Sequence, residues 1–153
     1  MQPAIIRTDM STSSSPGSIV LLTRLSRVVY RAASEEALGM KLKAYSTLAS
    51  LQAGGATSQQ DLCISMHLDP NNCVLLLNEM EHAGHVERKR DPADRRRHIV
   101  EITEAGREAL KHAERVMEGL EGEVLGALSP EERVLLRDLL ARALAGEPVA
   151  QPA

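Results

Sequence analysis

Phenylalanine and tryptophan are absent from the 153 residues, and tyrosine occurs only at Tyr30 and Tyr45. Any core must therefore be aliphatic, and stacking against a planar ligand would rest on two phenols or on arginine planes. No run approaches the eighteen or more apolar residues of a membrane span, and no signal-peptide pattern opens the chain. Cysteine is scarce: Cys63 and Cys73 sit among helical apolar residues rather than in a disulfide framework, which points to a reducing, cytoplasmic setting. A buried cysteine of this kind usually serves as a small hydrophobe. Gly-rich phosphate loops are missing, and the serines near the start have no histidine in a nucleophile–base pattern, so no enzyme activity is expected. His82 and His85 are three residues apart beside Glu81, but Gly84 breaks the helix between them and no further ligand is near. Neither a metal nor a cofactor is expected. A formal net charge of −3 argues against a nonspecific nucleic-acid coat and against an anionic-membrane binder. Any contact with nucleic acid has to come from a local basic surface.

Such a surface is present. Between Arg88 and Arg97 six cations (Arg88, Lys89, Arg90, Arg95, Arg96, Arg97) stand against Asp91 and Asp94, a local charge of +4. Alternating segments flank the cluster, His85 to Arg90 and His98 to Ile102, with Asp91-Pro92-Ala93-Asp94 as the turn. The pattern predicts a two-stranded hairpin with a basic tip, either reaching along phosphates or solvated as a plain surface hairpin.

The length fits one domain with a real core. Residues 1–17, with Ser13 to Ser18 reading SSSPGS, form an expected disordered leader, and 146–153 an expected flexible tail. Between them the punctuation predicts six helices. The first covers about 18–38, with Leu22, Leu25, Val29 and Ala32 on one stripe and Gly39 at its end. The second spans about 42–52 and stops at Gly54-Gly55. Thr57 to Gln60 fits a capping box opening a third helix over about 58–66. Asp69 and then Pro70 open a fourth, to about His82. After the hairpin, Thr103 caps a fifth with Leu110, Ala113, Met117, Leu120 and Val124 at spacings of three and four. Ser129-Pro130-Glu131-Glu132 starts the sixth.

The third and fourth helices have the proportions of a helix-turn-helix, and the hairpin follows as a wing. In the fourth helix Cys73, Leu76, Leu77 and Met80 form the core face. Asn71, Asn72, Val74, Leu75, Asn78 and Glu79 lie opposite. Asparagine can pair with adenine N6 and N7, and an apolar side chain can cover a thymine methyl. Equally, the two asparagines can simply finish the helix cap and Leu75 can be an exposed leucine.

The stretch from Asp69 to Gly106, DPNNCVLLLNEMEHAGHVERKRDPADRRRHIVEITEAG, resembles the core signature of the MarR family of winged helix-turn-helix regulators. The matching features are the Asp-Pro opening of the recognition helix, the Met80-Glu81-x-x-Gly84 that ends it, Asp91-x-x-Asp94-Arg95-Arg96 in the wing, and Ile102-Thr103-x-x-Gly106 after it. The resemblance covers about 18–145. It implies a mainly α fold with a small β-hairpin wing (α+β), in which 42–103 is the winged helix-turn-helix and 18–38 with 104–145 the helical dimerisation body. It also implies a homodimer, a wing arginine in the minor groove, and control of transcription through a small ligand or an oxidant.

Carried over by position, Asp94 braces the wing and Arg95 or Arg96 enters the minor groove. Arg97 falls where the family usually has a small or apolar residue, and Val74 and Leu75 where many members carry Ser and Arg. The candidate DNA contacts are thus Ser58, Gln59, Asn71, Asn72, Val74, Leu75, Arg88, Arg90, Asp94, Arg95, Arg96 and Arg97. In similar proteins a ligand pocket lies where the first two helices meet the fifth, which would place Arg24, Arg27, Tyr30, Arg31, Tyr45 and His112 around it. An arginine beside a tyrosine suits a phenolic or aromatic carboxylate, although the same residues can form salt bridges at a dimer rim. The expected function is a repressor of transcription released by such an effector. The expected partners are a pseudo-palindromic double-stranded operator and a second copy of the chain, with no membrane. Three alternatives stay open. One is an oxidant sensor acting through Cys63 or Cys73, although oxidant-sensing members generally carry their cysteine near the start of the first helix. Another is an architectural DNA-binding protein with no ligand. The third is a protein-interaction module whose wing meets an acidic partner.

Overall fold

The computed structural model describes residues 15–146. Residues 1–14 of the expected leader and 147–153 of the expected tail lie outside that range, and Ser15, Pro16 and Gly17 carry no regular element. The element order is α1 (Ser18–Ala32), α2 (Glu35–Leu38), α3 (Leu42–Gly54), β1 (Thr57–Ser58), α4 (Gln59–Ser65), α5 (Pro70–His82), β2 (Val86–Arg90), β3 (His98–Ile102), α6 (Glu104–Val124) and α7 (Pro130–Leu144). No helix among these residues is long and apolar enough to cross a membrane.

The single helix expected over 18–38 is two. Ala33 leaves helical geometry, and the Ser34 hydroxyl accepts from the Ala37 amide at 3.2 Å, which starts α2 afresh. Gly39 then closes α2 at φ +76°, in the left-handed region that glycine occupies without strain. The cap of the third expected helix lies one residue later than its sequence pattern suggested. Ser58, not Thr57, accepts from the Asp61 amide at 3.1 Å. Thr57 is free to extend because Thr57–Ser58 pairs with Val100 and Ile99 as a short third strand. The sheet is therefore three-stranded and antiparallel, in the order β1-β3-β2, rather than a bare hairpin.

The core is aliphatic, as the missing aromatics require. Leu48 and Leu51 of α3, Leu62 of α4, Leu76, Leu77 and Met80 of α5, Val86, Val100 and Leu110 close around one centre. Each such side chain contributes about 1.5–3 kcal/mol on leaving water. This centre lies under the helix-turn-helix and the sheet, so α5 and the wing are fixed to the same body.

The two cysteines depart from the expectation of independent small hydrophobes. Cys63 in α4 and Cys73 in the first turn of α5 form a disulfide, with Cα atoms 5.8 Å apart. The turn between the two helices brings their core faces together, and both cysteines point there, so a spacing of ten residues becomes direct contact.

Candidate nucleic-acid interface

Helix α5 begins with an acidic cap and proline at the first helical position. Asp69 Oδ1 accepts from the Asn72 amide at 3.0 Å, and the Asn72 side-chain amide donates to Asp69 Oδ2. These donors, the Asn72 amide first, hold the Asp69 carboxyl below the usual carboxylate range. Cys73, Leu76, Leu77 and Met80 are buried, and Asn71, Asn72, Val74, Leu75, Asn78 and Glu79 are exposed, as the helical period predicts. Asn72 has its amide engaged on the cap, so in the free protein it finishes the helix end. Asn71, Val74 and Leu75 remain uncovered at the N-terminal half of the helix.

Strand register decides what each wing cation does. Val86 pairs with Ile102, Arg88 with Val100 and Arg90 with His98. Directly paired residues share a face, so Arg88 lies on the same side as the buried Val86 and Val100, toward α5. There its Nη2 donates to Asn78 Oδ1 at 2.5 Å and to Glu81 Oε1 at 3.1 Å, and its backbone amide donates to Glu81 Oε2 at 3.1 Å. The arginine's donors push the Glu81 carboxyl down from its ordinary value. Arg88, a candidate DNA contact by charge alone, is thus a clamp between recognition helix and wing, with its side chain 18% exposed. Lys89 is on the opposite face and pairs with Glu101 at 3.2 Å, which raises its pKa.

At the tip the chain holds itself. Asp91 Oδ1 accepts from the Ala93 amide at 2.9 Å, and the Asp91 amide donates to the Arg97 carbonyl at 2.9 Å. Asp94 Oδ1 accepts from the Arg96 amide at 3.0 Å and from Arg96 Nε at 3.4 Å, so Asp94 does brace the wing against its own arginine. Arg90 Nη1 donates to the Arg95 carbonyl at 3.1 Å. Arg97 pairs with Asp61 of α4 at 3.7 Å. That leaves Arg95 and Arg96 at the extremity, the Arg96 side chain 92% exposed and Arg95 without an ion pair among the described residues.

Two further candidates fall differently. Ser58 is buried as the α4 cap and has no free face to offer. Gln59 is half-buried, and its Oε1 has no hydrogen-bond partner among the described residues. The end of the wing is anchored by Thr103, whose hydroxyl donates to the Gly84 carbonyl at 2.6 Å and accepts from the Gly106 amide at 3.0 Å. At Gly106 a Cβ would stand 2.1 Å from the His85 carbonyl oxygen, so only glycine fits there. The Thr103-x-x-Gly106 signature is therefore a close approach of α6 to the α5–β2 connection.

A cavity of about 410 Å³ lies beside the recognition helix, lined by Tyr30, Ser34, Glu35, Lys41 and Lys43 on one side and Asn72, Leu75 and Glu79 on the other. Lys41 pairs with Glu79 at 2.9 Å across it. Of the residues expected around a ligand, only Tyr30 lines this cavity. Arg24, Arg27, Arg31 and His112 are exposed along α1 and α6. Tyr45 packs against the core, where burial and then the α6 carboxylates of Glu114, Glu118 and Glu121 raise its pKa. An anionic ligand placed beside Tyr45 would meet that acidic face.

The family model for MarR matches residues 40–98, from just before α3 to the first residue of β3. An uncharacterised HTH-type transcriptional regulator of Bacillus subtilis (strain 168), YdgJ, is 33% identical over 108 residues. The match takes in 71% of this chain and 66% of that relative's length. The chain belongs to the MarR family. Among solved structures, a MarR-family transcriptional regulator from Rhodococcus sp. RHA1 superimposes with a TM-score of 0.76 at 26% identity, covering 86% of this chain and 97% of its own. Bordetella bronchiseptica BpsR, whose DNA binding is regulated by 6-hydroxynicotinic acid, shares the fold with a TM-score of 0.76 at 22% identity over 87% of this chain and 96% of BpsR. MarR-family proteins of this kind are transcriptional regulators rather than enzymes, and the signature from Asp69 to Gly106 is where this chain resembles them.

Proposed function

We propose that the chain is a sequence-specific DNA-binding regulator of transcription, acting in the cytoplasm as a homodimeric repressor that a small anionic effector releases. One observation carries the DNA reading. Arg88 locks the wing to α5, so the exposed N-terminal half of the recognition helix and the Arg95–Arg96 tip are presented as one rigid surface. A helix with free Asn71, Val74 and Leu75 suits a major groove, and a basic tip beside it suits the adjacent minor groove or its phosphates.

Dimerisation is supported by α1 and α7, which contain no buried residue yet carry Ile19, Leu22, Val28, Leu135, Leu139 and Leu144 exposed. Two long apolar faces left in water call for a second copy, and a two-fold pair demands half-sites about one helical turn apart, roughly 10 bp. For the effector, the cavity offers Lys43 and the Tyr30 phenol beside the recognition helix, and Lys41 where the ligand's carboxylate displaces Glu79 from it, which suits an aromatic carboxylate. The regulation of BpsR by 6-hydroxynicotinic acid supports that chemistry by likeness of fold.

The test is fluorescence anisotropy at physiological salt, using duplexes from the DNA flanking the chain's own gene and a random duplex of equal length. Preference for one palindrome by about 10³-fold or more is expected. Equal binding to both duplexes would instead favour an architectural protein, and light scattering that shows a monomer at micromolar concentration would refute the dimer.

A further inference from the structure

The recognition helix α5 carries no lysine or arginine, so it lacks the donors that pair with guanine O6 and N7. Most of its exposed polar side chains are also engaged. The Asn72 side-chain amide donates to Asp69, the Asn78 side-chain carbonyl accepts from Arg88, and the Glu79 carboxylate pairs with Lys41. What remains is Asn71, Val74 and Leu75, one exposed face at i, i+3 and i+4. We propose that this face reads thymine by its C5 methyl group, with Val74 and Leu75 covering methyls in the major groove. The proposal rests on the regulator reading and adds to it the chemical group on the operator that α5 selects.

Three features of the structure support it. Leu75 is 60% exposed and Val74 39%, outside the stripe of Cys73, Leu76, Leu77 and Met80 that α5 buries. Apart from Ile64 of α4, every other large exposed hydrophobic among the described residues lies in α1 or α7, the helices whose apolar faces suit a second copy. Val74 and Leu75 belong to neither of those faces. The Asp69 cap and the Arg88 clamp already hold α5 in place, so a methyl covered on docking is not offset by the cost of ordering the helix.

A methyl that leaves water against an aliphatic side chain stabilises the complex in proportion to the area covered, and among the four bases only thymine offers one in the groove. Asn71, exposed on the same face, can donate to N7 and accept from N6 of a neighbouring adenine. The cations that draw the head to phosphates lie elsewhere, at Arg95 and Arg96 of the wing tip. Helix α5 then supplies selectivity and the wing the salt-dependent attraction. Leu75 also lines the cavity of about 410 Å³ beside Lys41. A residue acting only as that cavity's wall would change affinity for an effector, not sensitivity to a single methyl on DNA.

The experiment titrates the full-length chain, by fluorescence anisotropy without effector, against the palindrome it prefers and against copies carrying deoxyuridine. Each copy replaces one symmetry-related pair of thymines, which removes only the methyls. At one or two such pairs affinity is expected to fall roughly tenfold, about three- to fourfold for each methyl. Replacing the same thymines by 5-methylcytosine is expected to cost less than replacing them by cytosine, because the methyl is kept. Leu75→Ala and Val74→Ala are each expected to bind the thymine and uracil forms alike at the position that residue covers. Their slopes of log K against log salt are expected to match wild type, since no phosphate contact is lost. The wild-type uracil series needs no variant, so it decides even where a substitution impairs folding. Uracil tolerated at every thymine, or a uracil effect that persists in both variants, would overturn the proposal and leave the regulator reading standing. A chain that prefers no duplex would count against the regulator reading itself, and with it against methyl readout.

Discussion

Arg88→Ala separates a cation that holds the wing from one that holds DNA. In the structure Arg88 makes one bond to Asn78 and three charge-assisted bonds to Glu81, one of them from its backbone amide, and the substitution removes the side-chain bonds, leaving Glu81 without its guanidinium. Hydrogen bonds to charged groups contribute about 1.5–3 kcal/mol each when shielded, and exposed ion pairs less than 1. Arg88 is 18% exposed but Glu81 42%, so the loss lies between these limits, about 1–1.5 kcal/mol after allowing for solvent. If all of it must be recovered by ordering the wing on DNA, operator affinity falls by up to about tenfold.

The salt dependence is what tells the two roles apart. A lost phosphate contact lowers the slope of log K against log salt by about 0.9, whereas a lost internal clamp leaves the number of released counterions unchanged. Anisotropy titrations between about 50 and 300 mM salt should therefore give Arg88→Ala a weaker line parallel to wild type. Arg96→Ala should give a shallower one. Glu81→Gln should follow Arg88→Ala, since it removes the acceptor charge without touching a cation. A shallower slope for Arg88→Ala, with Glu81→Gln unaffected, would refute the clamp and return Arg88 to the DNA backbone.

Gly106→Ala forces a Cβ to 2.1 Å from the His85 carbonyl oxygen and 2.9 Å from Ile102 Cγ1; the backbone must shift, and a stability loss of about 1–3 kcal/mol is expected in chemical denaturation even though alanine is the better helix former. A neutral result there would show that the wing's base moves freely. The Glu81 carboxyl, depressed by Arg88, contributes its bracing above the unfolded glutamate pKa and loses it as pH falls through the folded value. The protection of the Arg88 amide, taken as its exchange rate relative to the unprotected rate at the same pH, should accordingly stay high through the neutral range and fall only on the acid side of the ordinary glutamate range, a step that Glu81→Gln abolishes. Asn72→Ala should lower the melting temperature while leaving the base preference of an operator-substitution series intact, because its side-chain amide donates to the Asp69 carboxylate of the cap; a changed preference with unchanged melting would show that it reads a base instead.

The helices and the wing were legible because their punctuation is strong: Asp69-Pro70, Ser129-Pro130 and Thr103 each became an N-cap with its side-chain bond in place. What stayed hidden was of two physical kinds. Break points between helices carry weak signals, since Ala33-Ser34 contains neither glycine nor proline, and only the Ser34 cap marks the restart. Pairings between distant segments carry none. Thr57–Ser58 joins β3 across more than forty residues, and the contact of Cys63 with Cys73 depends on how α4 folds back against α5.

The wing shows how a signal can be present in a sequence and still be misweighted. Six cations in ten residues read as one basic patch when charge is counted. The same stretch has a period of two, which places Arg88 with Val86 on the inner face and Lys89 with Glu87 on the outer. Periodicity then assigns Arg88 inward, toward carboxylate and amide partners on α5, and Lys89 to the carboxylates of its own sheet. Beyond the last paired position, Arg90 with His98, no ladder remains to impose alternation, and the Asp91 and Asp94 turn bonds take over. Those bonds occupy the carboxylates with backbone amides, so the acids steady the loop without covering all of its positive charge. The wing's positive charge is therefore concentrated at Arg95 and Arg96 by the strand register and the turn together. A variant that lengthened the ladder by one pair would redirect those arginines without altering the net charge of the wing.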